Sequence, residues 1–86
     1  MKLNKFNELS YGYFRYVVAA KVCYEIIVYG QMDFGVDMED ANDCELFITG
    51  LWRDDNGKSI FSREKLVKGS MKECLDACKK DMENFK

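Results

Sequence analysis

Four cysteines, Cys23, Cys44, Cys74 and Cys78, are the side chains of this 86-residue chain best able to do chemistry. As thiolates they could ligate zinc or attack an electrophile. A zinc site asks for closely spaced pairs, but there is no Cys-x2-Cys knuckle and no histidine to complete a ligand set. A nucleophilic thiol needs a base beside it, and without histidine the commonest base near neutral pH is missing. Cys74 and Cys78 lie one helical turn apart, in register with Met71, Leu75 and Met82, so they read as core fillers. Ser62 and Lys65 have the Ser-x-x-Lys spacing of penicillin-interacting serine enzymes, but the companion motifs are lacking and the chain is too short for that fold. The expectation is a protein that is not an enzyme and holds no metal and no cofactor.

The second chemical feature is charge. Residues 30–45 carry six acids (Asp33, Asp37, Glu39, Asp40, Asp43 and Glu45) and no base, whereas the whole chain has a net charge of only −2. The acids do not follow the Asp-x-Asp-x-Asp-Gly order of a calcium loop. Two readings remain: a solvated connection, or a recognition loop whose carboxylates imitate phosphates and dock into a basic groove. Phe34, Val36 and Met38 interleave with the acids and could anchor such a loop or tuck it back onto the protein.

These residues must be positioned by a small number of elements. From Phe14 to Val28 every second residue is apolar or aromatic, the pattern of a strand with one core face. A single extended run over 13–29 would span about 56 Å, so it must bend near Ala19-Ala20-Lys21 or divide into two strands. A turn there would lack Gly, Asn or Asp, which favours one bent strand. Asn56-Gly57 suits a type I′ hairpin turn that pairs Arg53 with Ile60 and Trp52 with Phe61. That register turns Leu46, Ile48, Gly50, Trp52 and Phe61 inward and Phe47, Thr49, Leu51, Arg53 and Ile60 outward. Ser70 and Glu73 form a capping box ahead of an apolar stripe, Met71, Cys74, Leu75, Cys78, Met82 and Phe85, which predicts a helix over 70–85. The first dozen residues add a short helical turn with Leu3, Phe6 and Leu9.

The predicted architecture is one α+β domain over 1–86. It has a twisted antiparallel sheet of three or four strands with a C-terminal amphipathic helix on one face. The strand region is 13–29, the acidic loop 30–44, the hairpin 45–62 and the helix 70–85. One helix covers one face. The other, with Tyr13, Arg15, Val17, Lys21, Glu25, Ile27 and Tyr29, is left to a partner, a second copy, or the N-terminal segment folding over it. No export signal is evident: Asn4, Asn7, Glu8 and Ser10 break up any apolar N-terminal run. The longest apolar stretch, residues 16–20, is too short for a bilayer. A cytoplasmic location with reduced thiols is expected, with no membrane partner and no direct nucleic-acid binding.

In element order, small size, local acidity and want of catalytic residues, the whole chain resembles the small inhibitor proteins of phages and mobile elements, anti-CRISPR proteins among them. The resemblance implies a protein that works in the host cytoplasm by occupying a host protein's surface, with an acidic patch standing in for nucleic acid. The expected function is therefore a non-catalytic protein-binding module that inhibits a larger nucleic-acid-handling protein. Asp37, Glu39, Asp40, Asp43 and Glu45 would supply steering and mimicry, with Phe34 and Met38 as anchors. The alternative is a homodimeric structural or adaptor module, joined through the outer sheet face or an edge strand and using Tyr29, Phe47, Leu51 and Ile60.

Overall fold

The alternating run from Tyr13 onward folds as two strands. The structure is a computed structural model that describes residues 1–30, 37–53 and 55–85, with backbone alone at 52, 53 and 85. A 3₁₀ turn, Leu3–Lys5, precedes β1 (Asn7–Ser10), β2 (Tyr13–Ala19) and β3 (Val22–Val28). A second 3₁₀ turn, Met38–Asp40, leads into β4 (Cys44–Arg53) and β5 (Ser59–Gly69). Helix α1 (Met71–Met82) follows, extended by a 3₁₀ turn, Glu83–Phe85. The five strands form one antiparallel meander in the order β1-β2-β3-β4-β5, and α1 packs against it, an α+β architecture.

The single bent strand expected over 13–29 is corrected here. Ala20-Lys21 makes a tight turn without Gly, Asn or Asp, and no described non-glycine residue has a positive φ. The turn is therefore not of the primed type that two-residue hairpins favour. A β-bulge makes up the difference: Val17 pairs with Cys23 and Ala19 with Val22, which leaves Val18 as the extra residue. The first dozen residues also add a strand to the predicted count, because β1 pairs with β2 across Tyr11-Gly12. Gly12 takes φ +78° there and its carbonyl accepts from the Val28 amide at 2.8 Å.

The hairpin register is corrected too. Leu51 pairs with Phe61, Trp52 with Ile60 and Arg53 with Ser59, one residue off the register that a type I′ turn would set. Among the described residues of the connecting loop only Gly57 has positive φ, whereas a type I′ turn would require it of Asn56 as well. Because side chains alternate with period two, the slip exchanges Ile60 and Phe61 between faces. The predicted register reappears nearer the helix, where Leu46 pairs with Val67 and Glu45 with Lys68, after a bulge at Leu66. Without that bulge Arg63 and Lys65 would have shared the inner face with Gly50 and Ile48. With it both point outward, to Glu25 and Glu45.

The inner face is the core. Phe14, Tyr24, Ile26, Cys44 and Leu46 meet Met71, Cys74, Leu75 and Cys78 of α1, all buried. Each fully buried aliphatic or aromatic side chain of this kind contributes about 1.5–3 kcal/mol. The Tyr24 hydroxyl donates to the Asp81 carboxylate, which fixes the C-terminal half of α1 over the sheet. The Ser70 hydroxyl caps the other end by accepting from the Glu73 amide at 3.2 Å. Leu3 and Phe6 are buried in this same core, with Phe6 against Tyr16 at a ring-centroid distance of 5.4 Å. The N-terminal segment therefore closes the helix side of the sheet and does not cross to the outer face, and Leu9 remains exposed.

Candidate protein interface

The outer face of the sheet is built from the residues between the core positions. Along β3 these are Cys23, Glu25 and Ile27, and along β4 Glu45, Phe47, Thr49 and Leu51. β2 adds Tyr13, Arg15 and Val17, and β5 adds Phe61, Arg63 and Lys65. No described element lies over them.

At the centre, polar groups satisfy one another. The Thr49 hydroxyl and Cys23 thiol share a hydrogen bond of 2.7 Å, and the Arg15 Nε donates to the same sulfur at 3.3 Å. Glu25 is 7% exposed, and its carboxylate meets Arg63 Nε at 3.6 Å. The Arg63 guanidinium lies 3.9 Å from the centre of the Phe47 ring, a cation–π contact that holds it across the strands. Glu45 meets Lys65 Nζ at 3.6 Å. No buried side-chain nitrogen or oxygen among the described residues lacks a hydrogen-bond partner.

Around this satisfied centre the apolar groups stand out. Phe61 is 69% exposed, Val17 60% and Leu51 40%. With Arg15, Lys21 and Thr49 they border an open depression of about 280 Å³ at the β2–β3 turn. β3 pairs with β4 only as far as Gly50, and the last link is the Leu51 amide donating to the Lys21 carbonyl at 3.0 Å. Beyond it β4 and β5 continue as a two-stranded arm, and the molecule measures 50 × 23 × 19 Å.

The acidic loop lies elsewhere. Asp37 accepts from the Glu39 amide at 3.0 Å and so caps the 3₁₀ turn, and Glu39 accepts from the Leu3 amide at 3.3 Å. The Ala41 carbonyl accepts from the Met71 amide at the start of α1, and the Asp43 carbonyl from the Tyr29 amide. The loop is thus stitched to the helix side. Asp37, Glu39, Asp40 and Asp43 are exposed on it, and Met38 is half-buried against the core.

The structure therefore separates residues that the sequence suggested would act together. Glu45 leaves the acidic set, because it sits on the outer face of β4 and spends its charge on Lys65. Phe34 lies outside the described residues. Of the four positions assigned to a second interface, Leu51 borders the depression, Phe47 is half-buried beneath Arg63, and Tyr29 is exposed beyond the end of β3. Ile60, expected on the outer face, is on the opposite side of the arm because of the register slip. Sequence reasoning placed Phe61 inward, and this outward aromatic was missed for that reason. Glu25 in a run of apolar residues was the signal available for Arg63: a carboxylate at mid-strand needs a cation across the sheet.

The cysteines divide the same way. Burial pushes the thiols of Cys44, Cys74 and Cys78 up to about 11, 12 and 12, with neighbouring acids adding to the effect. Such thiols are poor nucleophiles at neutral pH. No three His, Cys, Asp or Glu side chains among the described residues are grouped to hold a metal ion. No helix among them is long and apolar enough to cross a membrane. Comparison of the chain with protein-family models, curated proteins and solved structures finds no match.

Proposed function

We propose that this chain is a non-catalytic protein-binding module that occupies the surface of a larger, nucleic-acid-handling protein and blocks it. The observation that carries the reading is the apolar cluster of Val17, Leu51 and Phe61 on a sheet face that no described element covers. Large exposed side chains grouped around a depression and rimmed by Arg15 and Lys21 have the make-up of an interface core with a polar rim. The acidic loop supports the nucleic-acid side of the proposal. Four exposed carboxylates, Asp37, Glu39, Asp40 and Asp43, are carried on a backbone tied to α1 and the N-terminal segment, which gives them a set spacing. They steer the encounter with a basic groove, and the apolar patch supplies the lasting contact. On this reading the protein acts in the host cytoplasm, needs no cofactor, and touches neither membrane nor nucleic acid directly.

The test is affinity capture from cells of the native host, followed by binding measurements on the protein that comes down. Val17→Asp should weaken that binding by roughly tenfold or more, because it puts a charge into the patch. Asp40→Lys with Asp43→Lys should slow association and flatten its dependence on salt. Saturating amounts of the wild-type chain should displace nucleic acid from the partner. A partner that keeps its nucleic acid undisturbed would defeat the blocking role, and binding indifferent to both variants would defeat the surfaces assigned.

A further inference from the structure

We propose that the outer edge of the arm, residues 58–64, pairs with the same edge of a second copy of this chain, so that two sheets join into one across a two-fold axis at Phe61. β5 is last in the sheet order, so among the described residues no other strand faces the backbone groups on its far side. Proteins usually guard such an edge with charge, a bulge or proline. Here the guard is uneven. Between Arg63 and Gly69 the strand carries Arg63, Glu64, Lys65 and Lys68 and is bent by the bulge at Leu66. Between Ser59 and Ser62 it carries no charge, no proline and no bulge, and two large apolar side chains, Ile60 and Phe61, are 45% and 69% exposed. That is the composition of a strand that pairs.

Self-pairing about a two-fold axis normal to the sheet is antiparallel and keeps each residue on its own face, so the register must be centred on a residue. Centring on Arg63, Glu64 or Lys65 sets like charges against each other. Centring on Phe61 does not: it puts Phe61 against its own copy, Ile60 against Ser62, Ser59 against Arg63 and Lys58 against Glu64. Phe61, 69% exposed, then stacks on its twin, and opposite charges face each other at both ends of the pairing. The occupant is thus a second copy, chosen by charge and shape complementarity of the edge with itself. The two outer faces become continuous in such a dimer. The proposal goes beyond the blocking role but shares Phe61 with it: pairing takes Phe61 out of the exposed cluster and leaves Val17 and Leu51 to the partner. Its tests use the chain alone, so they can fail without deciding whether a nucleic-acid-handling protein is blocked.

Sedimentation equilibrium of the wild-type chain at micromolar concentrations should show a reversible dimer. Glu64→Lys sets lysines against each other and should weaken it by roughly tenfold, and adding Lys58→Glu should restore it. Phe61→Cys gives a geometric readout that does not depend on affinity. A residue on the axis faces its copy at about 4.5–5.5 Å between Cα atoms, within disulfide reach. Mild oxidation should therefore link that variant into a covalent dimer. Ser59→Cys, whose counterpart across the axis is Arg63, should not link. Circular dichroism confirms that each variant is folded, as expected for exposed positions. A wild-type monomer throughout, or a dimer indifferent to the charge reversal, or linkage at position 59 in place of 61, would each overturn the proposal.

Discussion

The two faces of the sheet are made by the same strands, residue by residue in alternation, yet they are held in different ways. The helix face is sealed with side chains that ask little of their neighbours: Ile26, Leu46 and Leu75, with three thiols filling the gaps between larger groups. The outer face is held by directional pairs, Glu25 with Arg63, Glu45 with Lys65 and Cys23 with Thr49, and leaves its apolar residues at the margin. Cohesion is concentrated on one side, and on the other it is traded for groups that something else can meet.

The sharpest way to test that contrast is alkaline pH. The thiols of Cys44, Cys74 and Cys78 titrate well above the value of 9.0 expected when the chain is unfolded, and burial raises the Tyr24 phenol in the same direction. Protons are then bound more tightly in the folded state. The stabilisation is complete below pH 9 and is lost as pH rises toward 11–12. The unfolding free energy from urea titrations should be level from pH 6 to about 8 and then fall by about 1.4 kcal/mol per pH unit for each thiol. A flat profile to pH 11 would mean that the inner face is not sealed.

Truncation comes next. Leu46→Ala should cost about 2–5 kcal/mol in chemical denaturation, and Val17→Ala on the outer face about 0.5 kcal/mol or less. Similar costs at the two positions would erase the distinction between the faces. Arg63→Met removes the partner of a buried carboxylate and should cost roughly 1–2 kcal/mol, with Glu25→Gln in the same chain recovering part of it. The smallest effect is at the helix start, where Ser70→Ala should lower stability by about 1 kcal/mol through the lost cap.

The helix face was legible in the sequence and the outer face only in part, for a physical reason. The alternation from Phe14 to Val28 and the stripe from Met71 to Met82 record burial directly, since each apolar residue answers to the same dry interior. The turn at Ala20-Lys21 was not legible, because its geometry is supplied by a bulge at Val18 and not by a turn residue. Nor was the slip at the hairpin. Asn56-Gly57 argued for one register, but moving Arg63 and Lys65 onto the outer carboxylates required another, and a local preference gave way to pairs distant in sequence. The acidic segment was visible as composition, yet its division between a helix-side loop and an outer-face ion pair at Glu45 depended on where β4 begins.

The meander also sets an order of assembly. Each strand pairs with the one just before it, so hairpins can zip up one after another as a nascent chain leaves the ribosome. Helix α1 follows all five strands, and until it arrives Tyr24, Ile26 and Leu46 form a greasy panel without the helix that seals it. Translation therefore passes through a stage in which a nearly complete sheet is sticky on one side, and a stalled or clipped product ending before Ser70 would be a natural client for chaperones or proteases.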